Sequence, residues 1–181
     1  MNSTATRYEA ANRPLAALVD AVPAQSWTTP SPCEGWSASD VLRHMIQTQR
    51  ELLTERGINL GEAPQVDADP AAAWRDHAER VAAVLADDAV VAIGYNGFFC
   101  PTTVGATLEP FYVWDMLVHR WDIARAVGAD AGLSDAELDR IEGGADGFGA
   151  ALYMDGICRQ GVEAPANADR QARILARLGR A

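Results

Sequence analysis

Trp114-Asp115-Met116-Leu117-Val118-His119-Arg120-Trp121-Asp122 is the stretch on which the reading of this sequence turns. Asp115 and His119 stand four apart, so on a helix their side chains lie one turn above the other. At about 100° per residue, Val104, Leu108, Phe111, Asp115, His119 and Asp122 share a narrow arc. Ionisable groups therefore interrupt an otherwise apolar, inward-facing stripe. Burying each without a partner costs several kcal/mol, so they require a metal, an ion pair or hydrogen bonds.

A second polar interruption lies upstream. Ser37 reads as a helix N-cap with Asp40 three residues on, and an apolar run starts at Val41. The helix is expected to reach about residue 55 with Val41, Met45, Thr48 and Leu52 inward. His44 falls on the edge of that face. Facing Asp115 and His119 across a bundle core, it completes a set of two histidines and one carboxylate, the three-ligand pattern of open metal sites. The plainer alternatives stay open at this point: an Asp-x-x-x-His pair often closes a structural hydrogen bond, and a single boundary histidine is usually just satisfied. His77, beside Arg75, Asp76 and Glu79, reads as a surface residue.

Composition narrows the chemistry further. All 15 basic residues among the 181 are arginine, and there is no lysine. Schiff-base, pyridoxal phosphate and P-loop lysine chemistries are thereby excluded. With only 3 histidines, any histidine-based metal site must borrow a carboxylate. The formal charge of −10 and the pI near 4.6 argue against nucleic acid or an anionic membrane as partner. Charged residues break the first 30 positions, so no signal segment is read there, and no apolar run approaches a membrane span. Cys33, Cys100 and Cys158 form no C-x-x-C pair and read as small buried or half-buried groups in a cytoplasmic protein.

The rest of the chain reads as helix. Residues 6–22 carry Leu15, Leu18 and Val22 on one side, with Pro14 starting or kinking the segment. The loop from Trp27 to Trp36 holds two large aromatics and should pack down on the body. Asp69-Pro70 starts a third helix ending near residue 86, with Trp74, Ala78, Val81 and Leu85 inward. Residues 57–67 read as loop, and residues 89–100 as loop with a short strand. A long helix is expected over 103–127, stopped by Gly128. Another spans 134–159 from a Ser134–Glu137 capping box, and a last short one covers 169–178. The fold class is all-α, a helical bundle with short accessory pieces, and residues 1–181 are expected to form one domain.

Two segments together carry a family resemblance. Pro32-Cys33-Glu34-Gly35-Trp36-Ser37 leading into Asp40-Val41-Leu42-Arg43-His44, and Asp115 through Arg125, resemble the mycothiol-dependent maleylpyruvate isomerase N-terminal domain. That domain belongs to the DinB-like metal-binding bundles. The close, Arg173 to Arg180, resembles the single-domain actinobacterial branch. The resemblance implies an up-down-down-up four-helix bundle. It implies a divalent metal, zinc or else nickel, held by one histidine of the second helix and a carboxylate-x-x-x-His pair of a later one. Matched residue by residue, these ligands are His44, Asp115 and His119. Asp115 departs from the family pattern, which has Glu there, so the helices must approach more closely or a water must bridge. The isomerase's further C-terminal domain lies outside the resemblance, and its substrate contacts do not transfer.

The function so implied is a metal-dependent transferase or isomerase that holds a low-molecular-weight thiol such as mycothiol as thiolate against a small electrophile. Asp122 is the candidate for orienting a histidine ligand from behind. Trp121 reads as core. No second acid or base is identifiable by spacing. A metal- or small-ligand-binding protein without turnover, and a metal-dependent hydrolase, are therefore the rival readings. The expected partner is a small-molecule substrate, with a homodimer as the candidate assembly.

Overall fold

The computed structural model describes residues 2–98 and 100–180. The first helix, α1 (Ser3–Ala21), begins where the Asn2 side chain accepts a hydrogen bond from the Ala5 N–H. Its buried face is Tyr8, Ala11, Leu15 and Val19, whereas Leu18 and Val22 are only half-buried. The inward stripe thus keeps Leu15 as expected but continues through Val19 rather than through Leu18 and Val22. Pro14 lies inside the helix. A short 3-10 turn at Ala24–Thr28 then lowers Trp27 into the core.

Local capping chemistry sets the next two helices. The Ser37 side chain accepts from the Asp40 N–H while the Asp40 carboxylate accepts from the Ser37 N–H, which opens α2 (Ala38–Thr54). Asp69 caps α3 (Pro70–Leu85), with Pro70 at the first position, where a missing N–H costs nothing. After α4 (Asp88–Val91), β1 (Gly94–Asn96) pairs antiparallel with β2 (Pro101–Thr103).

The expected helix over 103–127 is interrupted. It consists of α5 (Val104–Thr107), a π-helical turn (Leu108–Val113) and α6 (Trp114–Val127), which ends at left-handed Gly128. The π turn changes the phase of the stripe. Phe111 packs edge-on against Phe148, ring centroids 5.3 Å apart, while Asp115, His119 and Asp122 stay together downstream. The helix expected over 134–159 is also shorter: α7 (Asp135–Phe148) stops at Gly149, whose φ of 54° leaves the helical region, and a 3-10 turn (Gly149–Tyr153) follows. Last comes α8 (Arg170–Arg177).

Four long helices close a ring in which α1 packs on α3 and α6, and α2 packs on the same two. The chain is mostly helical and forms an all-α DinB-like bundle. Outside the ring, α7 lies on α6 and α8 lies on α7. No helix among the described residues is long and apolar enough to cross a membrane.

Expectations for single residues need correction as well. His77 is not on the surface but fully buried, because positions 74, 77, 78, 81 and 85 share the inward face of α3 while charged Arg75, Asp76 and Glu79 point elsewhere. Its Nε2 lies 3.0 Å from Gln49 Oε1, which also accepts from the Tyr8 hydroxyl at 3.2 Å. Cys100, read as at least half-buried, is exposed at the turn between the two short strands.

Candidate metal centre

His44 sits in the second turn of α2, at the boundary between its buried face and solvent. Asp115 and His119 sit one turn apart on α6, the helix packed against α2. The π turn ahead of α6 and the Ser37 cap ahead of α2 therefore fix the register in which these side chains meet.

They do meet. One donor atom each of His44, Asp115 and His119 lies within 4.8 Å of the other two. His44 Nε2 is 3.7 Å from Asp115 Oδ2, and His119 Nε2 is 3.2 Å from Asp115 Oδ1. Two ligands at about 2.1 Å from a tetrahedral metal lie roughly 3.4 Å apart, so these spacings suit one ion. The shorter Asp arm reaches because the two helices are in direct contact. Side-chain exposure of 29% for His44, 24% for Asp115 and 7% for His119 leaves the cluster open on one side. Trp36, 37% exposed, forms part of that rim, its ring 4.9 Å from His44 and 6.4 Å from His119.

Behind the cluster, His119 Nδ1 lies 2.8 Å from Asp122 Oδ2, so Nε2 is the ring nitrogen turned toward His44 and Asp115. Asp122 is the acceptor expected from sequence. It is fully buried and also accepts from Arg180 Nε at 2.8 Å, from Arg180 Nη2 at 2.8 Å and from the Cys33 thiol at 3.4 Å.

Electrostatics follow from this arrangement. Burial pushes His44 below the usual imidazole range, with Asp115 pulling the other way. Burial alone would raise Asp115 and lower His119. Facing each other, Asp115 is held below the carboxylate range and His119 well above the imidazole range. For Asp122, burial is outweighed by the hydrogen bonds from His119 and Arg180, which bring its carboxyl down to about 2.

A second set of donors, Cys33, His119 and Asp122, also converges. Its carboxylate already carries the Arg180 guanidinium on both oxygens, so a cation is in place there. The first set is open to solvent, and among the described residues no arginine is hydrogen-bonded to it, so it has room for a cation.

Arg180 was not singled out by the sequence, and Cys33 was read only as a small buried or half-buried group near a helix start. Their contacts with Asp122 were missed, since each lies far along the chain from it and carries no helical periodicity with it. Both stand in segments that carried the family resemblance. Trp121, expected in the core, is half-buried.

A DinB-like helical bundle with a three-donor cluster open on one side is the class of protein that fold and site define. The family model described as the mycothiol maleylpyruvate isomerase N-terminal domain matches residues 8–124, and the chain belongs to that family. Comparison with curated proteins and with solved structures gives no match.

Proposed function

We propose that His44, Asp115 and His119 hold one divalent metal ion, zinc or else nickel, and that the protein is a transferase or isomerase using a low-molecular-weight thiol of the mycothiol type. The observation that carries this reading is the convergence of three donors from α2 and α6, with one side open. Membership of the family supports the choice of thiol.

When bound, the metal supplies Lewis acidity that keeps a ligated thiol in its thiolate form. The protein does the rest. His119 is aimed by Asp122, whose hydrogen bond to Nδ1 leaves Nε2 facing the cluster. Trp36 narrows the open side over His44 and excludes water from one face of the incoming thiol. The thiolate sulfur would add to one carbon of an activated double bond in a small substrate, and the π electron pair would move onto the activating carbonyl. Uptake of a proton from solvent at the other carbon would give the thioether. Rotation about the former double bond, return of the electron pair and loss of the same C–S bond would instead give the geometric isomer with the thiolate released.

Elemental analysis of untagged protein, followed by thiol-consumption assays with mycothiol and a panel of electrophiles, tests this. About one equivalent of metal and consumption lost in His44→Ala are expected. Stoichiometric metal without thiol consumption would move the assignment to a binding protein. Amide or ester hydrolysis without thiol would move it to a hydrolase.

A further inference from the structure

We infer that Arg180 is a positioning residue for the metal centre: its guanidinium fork locks the Asp122 carboxylate so that Asp122 Oδ2 meets His119 Nδ1 and His119 Nε2 is left as the donor. The inference rests on the metal reading above, and it concerns a residue beyond the stretch that matches the family.

Three observations converge on it. Asp122 Oδ1 takes its hydrogen bond from Arg180 Nε, and Oδ2 is shared by Arg180 Nη2, His119 Nδ1 and the Cys33 thiol. A guanidinium has only donors, so both oxygens it grips must accept. Two parallel bonds at 2.8 Å fix the carboxylate plane, which a single contact would leave free to rotate. His119 Nδ1 accordingly meets an oriented acceptor.

The second observation is how the arginine gets there. Beyond α8, Gly179 N–H bonds to Ala176 O and Arg180 N–H to Leu175 O, each at 3.0 Å, the paired pattern of a Schellman turn. Gly179 has a φ of 76°, and a Cβ there would stand 2.9 Å from both Arg159 Cβ and Gln160 O. Glycine is therefore required for the turn that sends residue 180 back across 58 positions of sequence to α6.

Third, the arginine is not a surface ion pair that happens to lie nearby. Its side chain is only 10% exposed, and its partner is fully buried. By contrast Arg170 and Arg177 of α8 reach the exposed carboxylates of Asp139, Glu142 and Asp146.

The test uses the whole chain with zinc as probe. Zinc affinity is measured by chelator competition for wild type, Arg180→Ala, Arg180→Lys and Arg170→Ala. The His119 ring state is followed by long-range proton–nitrogen NMR, where only 3 histidines need assignment. Loss of a group that orients a metal ligand from behind weakens binding about 10- to 100-fold. That loss is expected for Arg180→Ala, with a changed His119 ring signature in the zinc form. Arg180→Lys, which keeps the charge but not the fork, should fall between, and Arg170→Ala should match wild type. If Arg180→Ala does not fold, Arg180→Lys carries the test. Wild-type affinity with an unchanged His119 signature in the folded Arg180 variants overturns this inference alone. Wild-type protein that binds no zinc overturns the metal reading and this one with it.

Discussion

The buried imidazole of His77 limits the pH range over which this fold is stable. Burial, with the Arg50 charge nearby, pushes its pKa down to about 3 from an ordinary 6.5. The folded chain then binds fewer protons at this site than the unfolded chain. Stability from His77 is complete above about pH 6.5 and is lost as pH falls toward 3. At 1.36 kcal/mol per unit, lowering the pH from 7 to 5 should cost about 2 kcal/mol through this residue. Urea midpoints at both pH values for wild type and His77→Gln measure it. The variant should lose that much less on acidification, and an equal loss in both proteins would refute the assignment. The same residue shows why sequence neighbours mislead on a helix: the charged residues beside it in sequence occupy a different face. Arg120 is a second instance. It is fully buried, yet nothing local announces this, because its partner Glu137 belongs to another helix.

The pairing of α6 with α7 rests on one glycine and one ion pair. A Cβ on Gly144 would sit 2.3 Å from Trp114 Cδ1 and 2.4 Å from Nε1, whereas Cβ atoms on Gly143 and Gly147 would meet open space. Trp114 is further held by donating from Nε1 to Ile141 O at 3.0 Å. Gly144→Ala should therefore destabilise by about 1–3 kcal/mol through overpacking. Gly143→Ala should stabilise by up to about 1 kcal/mol through helix propensity. Thermal melts of the two variants check the opposite signs, and a shift of the same sign in both would sink this explanation. Arg120 forks onto Glu137 with two bonds of 2.8 Å, and Glu137 also closes the cap of α7. Arg120→Ala leaves that carboxylate without its cation, though still bonded to Ser134 and partly solvated, so a loss of roughly 2–4 kcal/mol is expected by denaturant titration. Helix starts were legible because Ser37, Asp69, Ser134 and Asp169 each accept from the backbone N–H three residues on. The π turn ahead of α6 was not: it contains Pro110 and packs chiefly on α1, and helical periodicity alone does not mark where a turn widens. Nor was the stop at Gly149, the last of several glycines in a segment where its neighbours are tolerated inside the helix.

Across the whole molecule, the ring of four helices converts two weak sequence signals into one site. His44 and the Asp115–His119 pair each had an ordinary structural explanation, and only the contact of α2 with α6 brings their donor atoms within 4.8 Å. The fold class and the convergence of these three side chains could be read from periodicity and resemblance. The Arg180 clasp could not, because it is a contact over 58 positions made by a single side chain. A bound ion should stabilise the folded chain by RT ln(1 + [L]/Kd), about 2.7 kcal/mol at a hundredfold excess over Kd. Thermal melts of metal-loaded protein with and without chelator should differ accordingly, and this difference should vanish in Asp115→Asn.

The most direct measurement is a zinc titration of metal-free protein by calorimetry, run side by side for wild type, His44→Ala and His77→Gln. One site per chain is expected in wild type, retained in His77→Gln and abolished or strongly weakened in His44→Ala. No binding by wild type, or equal binding by wild type and His44→Ala, would mean that these three side chains do not form a metal centre.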